Sequence, residues 1–150
     1  MSTHDPAAAE LMASIERVRR LSNRHSRLLQ ARLGVSIYQV GLLAAVDDGA
    51  LSVGAVAHAT GQPVSGASRL IERLVRDGLV ERNTDERDRR AVVLGLTPAG
   101  RSMLERARAL IGQAIEEALA AMPPRQAEQL LPILSSFLDA AEKVTEDPAG

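Results

Sequence analysis

Residues 64–97 read VSGASRLIERLVRDGLVERNTDERDRRAVVLGLT. In the first half, Val64, Ala67, Leu70, Ile71, Leu74 and Val75 share one face of a helix at about 100° per residue. Ser65, Arg69, Glu72 and Arg76 fall opposite, flanked by Ser68 and Arg73. Gly78 then stops the helix. Residues 79–82 read as a strand, 83–90 as a polar turn and 91–96 as a returning strand with Val92, Leu94 and Leu96 on one face. Nothing in this stretch is laid out for catalysis. An arginine-bearing helix beside an arginine-tipped hairpin suits a grip on duplex nucleic acid in two adjacent grooves.

Outward from this segment the pattern is helical. Residues 7–33 carry Leu11, Ile15, Val18, Leu21, Leu28 and Leu29 as a stripe, with His25 on it, ended by Gly34. Residues 36–48 form a second helix around Val40, Leu42, Leu43 and Val46. Ser52 is the expected N-cap of a short third helix, residues 52–60, and Pro63 fits the first turn of the fourth. Thr97 and Pro98 open a long fifth helix to about residue 121, striped by Leu104, Ala107, Ile111, Ile115, Ala118 and Leu119. Pro123 and Pro124 break it. A sixth helix follows with Leu130, Leu131, Leu134, Phe137, Leu138 and Ala141 inward. The order α-α-α-α-β-β-α-α describes a mainly α protein with a small β-hairpin wing.

Composition narrows the function classes. The 150 residues are 45% hydrophobic but only 1% aromatic, so the core is aliphatic. The absence of cysteine rules out disulfides, thiolate metal sites and thiol redox sensing. His4, His25 and His58 lack ligand-spaced partners, so no metal and no cofactor are expected. No apolar run approaches the roughly 18 residues of a transmembrane helix, and the polar start is no signal peptide, so a cytoplasmic chain without membrane contact is expected. No glycine-rich phosphate loop, HExxH or GxSxG motif occurs, which argues against an enzyme.

Charge is unevenly spread. The net charge is −1, yet residues 17–32 hold six arginines and no acid, while residues 116–147 hold seven acids against two bases. Seventeen of the eighteen basic residues are arginine, whose planar fork suits phosphate and guanine edges.

Three segments carry a resemblance to a known family. SxxSRLIERLxxxGLVER from Ser65, DERDRRAVVLGLTPAG from Asp85 and LSVGAVAHATG from Leu51 resemble the recognition helix, the wing and the preceding helix of the MarR family (multiple antibiotic resistance regulators). Asp88 and Arg90 match the family's Asp-x-Arg wing pair, with Leu96-Thr97 following at the family spacing. The likeness covers most of the chain in element order.

It implies a single domain over 1–150, in which a winged helix-turn-helix core at 36–97 is flanked by dimerisation helices at 7–33 and 98–144. It further implies a homodimer that binds double-stranded DNA at an inverted repeat, most often as a repressor. Recognition helices would then stand about one helical turn, roughly 34–36 Å, apart. DNA-contacting positions carried over are Ser65, Ser68, Arg69 and Arg73 on the helix and Arg87, Asp88, Arg89 and Arg90 on the wing. Leu11, Ile15, Ile115, Leu119, Leu130, Leu134, Phe137 and Leu138 match the dimer role. Many family members respond to small phenolic or aromatic effectors, for which His25 and Tyr38 are the candidate lining residues.

Two features depart from the pattern. Gly66 lies inside the recognition helix, and Pro132 is expected to kink or split the sixth helix. The competing reading is a winged-helix protein-interaction module that does not bind DNA; such a module has no need of arginines at the wing tip.

Overall fold

The computed structural model describes residues 5–84 and 92–146. Its elements run α1 (Pro6–Leu33), α2 (Ile37–Asp47), α3 (Val53–Ala59), α4 (Val64–Arg76), β1 (Val80–Thr84), β2 (Val92–Leu96), α5 (Pro98–Ala120) and α6 (Pro124–Glu146). The expected order is the observed one.

Local chemistry explains the boundaries. The Asp5 carboxylate accepts from the Ala7 N–H at 3.0 Å, and Pro6 follows at the start of α1. At α2 the Ser36 hydroxyl accepts from the Gln39 N–H (3.2 Å) while the Gln39 side chain accepts from the Ser36 N–H (2.9 Å), a reciprocal capping box. The Ser52 hydroxyl accepts from the Ala55 N–H at 3.1 Å and starts α3. Thr97 does two jobs at once. Its hydroxyl accepts from the Gly100 N–H at 3.0 Å, capping α5, and donates to the Gly78 carbonyl at 2.6 Å, tying α5 to the exit of α4.

The chain divides into two compact units, 1–110 and 111–150, with α5 running through the division. The first unit holds the core. Leu29 of α1, Leu42 and Leu43 of α2, Val56 of α3, Ile71 and Leu74 of α4, Val80 of β1 and Leu104 of α5 are fully or almost fully buried. Each buried Leu or Ile contributes about 1.5–3 kcal/mol relative to an exposed one.

The hairpin is antiparallel, with Val80 opposite Leu96, Arg82 opposite Leu94 and Thr84 opposite Val92. Leu94 and Leu96 turn into the core, whereas Val92 is exposed. The Leu94 N–H donates to the Leu51 carbonyl at 2.9 Å, which ties the hairpin to the chain just ahead of α3. Gly78, at φ 71°, makes the left-handed turn from α4 into β1 that a side chain would strain.

The second unit comprises the end of α5 and the whole of α6. The Ala121 N–H donates to Glu117 and the Met122 N–H to Leu119 before the proline break. Pro132 does not split α6, which continues to Glu146. It lies on an exposed turn, so the carbonyl its ring leaves unpaired meets water. No side chain of α6 over residues 124–144 is fully buried within the chain.

Candidate nucleic-acid interface

The candidate site is built on what α4 presents. Its inward face holds Ala67, Ile71 and Leu74, all fully buried. Ser65, Arg69, Glu72, Arg73 and Arg76 are exposed, and Ser68 is half-buried at the edge of the core. Val64, expected on the apolar face, is exposed, because the first turn overhangs the core that Ala67 reaches.

Two of the expected contacts differ in readiness. Arg69 donates from Nε to the Ser65 carbonyl at 3.3 Å, so its side chain lies back along the N-terminal half of its own helix. Arg73 instead places Nε 3.7 Å from Asp77 Oδ2, at the C-terminal end. Both partners are about half exposed, so this ion pair is worth roughly 0–1 kcal/mol and yields readily to a stronger anion.

The N-terminus of α4 begins at Pro63 with no side chain capping it. Its first-turn N–H groups and the positive end of its dipole therefore have no built-in anion. Gly66 sits in that turn, and a Cβ built there would meet nothing within 4 Å. The glycine is not required by packing inside the chain.

The hairpin carries a cation that closes the quoted motif but is absent from the expected DNA contacts. Arg82 is exposed on β1 and lines, with Ser52, Val53, Val92 and Leu94, a shallow recess of about 300 Å³ between the start of α3 and the hairpin stem. The signal is present in the sequence, since Val80, Arg82 and Thr84 alternate at the strand period of two and share a face. Arg87, Asp88, Arg89 and Arg90 lie outside the described residues.

His25 and Tyr38 occupy neighbouring elements. His25 is half-buried on α1, while Tyr38 is 60% exposed in the first turn of α2. Next to His25, the Ser26 hydroxyl accepts from the Ile37 N–H at 3.3 Å, which holds the α1–α2 corner. Gln39 is buried beneath this corner, and its Nε2 has no hydrogen-bond partner among the described residues. Among the described residues no cluster of His, Cys, Asp or Glu could hold a metal ion, and no single helix is long and apolar enough to cross a membrane.

A helix-turn-helix formed by α3 and α4, followed by a hairpin tied back to it, defines a winged helix-turn-helix protein. Residues 33–91 match the family model described as MarR family. The HTH-type transcriptional regulator BilQ of Clostridium symbiosum (strain WAL-14163) is 32% identical over 71 residues, which are 47% of this chain and 49% of that protein. The chain thus spans about half the length of the curated relative it matches.

Among solved structures, the transcriptional regulator BldR from Sulfolobus solfataricus aligns with a TM-score of 0.76 at 26% identity, covering 93% of this chain and 99% of BldR. The reduced form of MarR from E. coli aligns with a TM-score of 0.73 at 23% identity, covering 85% and 96%. Residues 33–91 are thus similar to the MarR family, and the chain shares the winged fold of these solved regulators.

Proposed function

We propose that this protein is a cytoplasmic, homodimeric, sequence-specific DNA-binding transcription regulator that represses from an inverted-repeat operator. The observation that supports this most is α4, whose uncapped N-terminal turn and exposed Ser65 and Arg69 stand on a fully buried base of Ala67, Ile71 and Leu74. A rigid helix presenting exposed polar side chains at its N-terminal half is what major-groove reading needs.

Ser65, Ser68, Arg69 and Arg73 take the groove contacts, with Arg73 exchanging Asp77 for a phosphate. Arg87, Arg89 and Arg90 at the wing tip reach the adjacent minor groove, and Asp88 holds the Arg90 guanidinium ready beforehand. Ordering a free arginine on DNA costs up to about 2 kcal/mol of side-chain entropy, which such a neighbour reduces.

The whole chain works as one functional unit, the core at 36–97 carried on helices at 7–33 and 98–144. Dimerisation through those helices is supported by their apolar exposure: Leu11, Ile15, Leu130, Leu134, Phe137 and Leu138 are all at least 40% exposed in the single chain. A small aromatic or phenolic effector at the α1–α2 corner, beside His25 and Tyr38, would release the protein from DNA. A gel shift with the DNA upstream of the chain's own reading frame tests the reading. A protein-interaction module without DNA binding would give no shift.

A further inference from the structure

Arg108 on α5 could pair within its own helix with Glu105, three residues earlier. It reaches across to α2 instead, where its Nη1 donates to Asp47 Oδ2 at 3.2 Å. Asp47 is the last residue of α2, at the negative end of the helix dipole, where a carboxylate costs stability rather than adding it. Helix chemistry therefore gives no reason for this acid, and its partner on α5 does. Eleven residues before Arg108, about 16 Å back along the helix, Thr97 makes a second attachment. Its hydroxyl donates to the Gly78 carbonyl and its N–H to the Leu79 carbonyl, both at the exit of α4. We infer that Asp47 and Arg108 are positioning residues for DNA reading: with α5 pivoted on α4 at Thr97, their ion pair fixes the direction in which α5 leaves, and so the half-site spacing that the dimer accepts. The inference rests on the dimeric DNA-binding reading above.

The two attachments differ in kind. The Thr97 end is tight, because Gly100 in the next turn is buried against the Leu79 backbone. One tight end alone leaves a helix free to swing about it. Leu104 and Ala107 pack into the core between the two attachments, but aliphatic contact is non-directional. The bond from Arg108 to Asp47 is directional, and it closes the swing. A swing of about 6° over the roughly 34 Å length of α5 moves its far end by about 3.4 Å, the rise of one base pair. Both side chains remain partly exposed, so the pair adds little to stability. Choosing among neighbouring spacings needs only a few-fold preference, and a two-fold dimer makes the bond twice.

Selection from a random duplex pool by the full-length protein reads half-site sequence and spacing in one experiment. The wild type should enrich two inverted copies of one half-site at a single dominant spacing. Arg108→Ala and Asp47→Ala should enrich the same half-site, because α4 is untouched. Their dominant spacing should lose about three- to tenfold against its one-base-pair neighbours. Arg108→Asp, which sets two carboxylates together, should lose more. The chain carrying both Asp47→Arg and Arg108→Asp should recover the wild-type distribution. Both positions are exposed, and circular dichroism with thermal unfolding checks each variant.

An unchanged spacing distribution in Arg108→Ala would overturn the inference and leave the pair a surface contact. So would a folded reciprocal exchange that fails to restore the distribution. Enrichment of no sequence by the wild type would instead remove the DNA-binding reading, and enrichment of lone half-sites would remove the dimer, each taking the inference with it.

Discussion

Gly100 lies directly under Leu79: a Cβ on Gly100 would stand 2.9 Å from the Leu79 carbonyl carbon and closer still to its oxygen. That oxygen also accepts the Thr97 N–H at 3.2 Å, so it cannot move aside without breaking the turn that joins β2 to α5. Gly100→Ala should therefore destabilise the fold by about 1–3 kcal/mol, the usual cost of overpacking. Gly112→Ala, on the same helix with nothing within 4 Å, should stabilise by about 0.5–1 kcal/mol. Thermal unfolding of the two variants gives the comparison, and equal effects would show that the Gly100 contact is not a constraint.

Gly66→Ala separates stability from recognition. The space around Gly66 is open, so alanine should raise the stability of α4 by about 0.5–1 kcal/mol. Operator affinity should fall, because the α4 backbone is then held off the groove by a methyl group. A variant that is both more stable and equally tight would show that Gly66 has no part in DNA approach.

Arg69→Ala addresses base reading. Arg69 is exposed and already lies along the N-terminal half of α4. Its loss should weaken operator binding by about 1–3 kcal/mol while affecting random DNA much less. Equal losses on both duplexes would assign Arg69 to phosphate alone.

The wing pair gives a prediction in which the sign is decisive. Arg90→Ala should greatly reduce operator binding and leave the melting temperature unchanged. Asp88→Ala removes a negative charge near DNA, so simple repulsion predicts tighter binding. Preorganisation of Arg90 predicts weaker binding, and a double variant that loses less than the sum of the two single losses. Anisotropy titrations of the three variants decide between the accounts.

Much of the fold is legible in the sequence because local chemistry and global packing agree. Ser36, Ser52 and Thr97 each announce a helix start, and each makes its capping bond. The two part company where composition and geometry disagree. Asn83 and Thr84 look like turn residues but extend β1, because Val93 and Val92 lie opposite to pair with them. Pro132 reads as a helix breaker, yet α6 passes through it on an exposed turn where water can replace the lost bond.

At the candidate site, the exposed face of α4 follows directly from its period. The Arg73–Asp77 tether and the recess at Arg82 do not, because they depend on side-chain reach and on where the hairpin stem meets α3.

The salt dependence of binding tests the central claim most directly. The net charge is only −1, so DNA binding has to come from arginines gathered at one surface rather than from overall charge. A dimer making roughly 6–10 phosphate contacts should lose on the order of 10³–10⁵-fold in operator affinity between about 50 and 200 mM salt. Titrating the labelled upstream duplex across that range should give a steep linear fall of log affinity with log salt. A flat response would contradict the assignment of this surface to DNA.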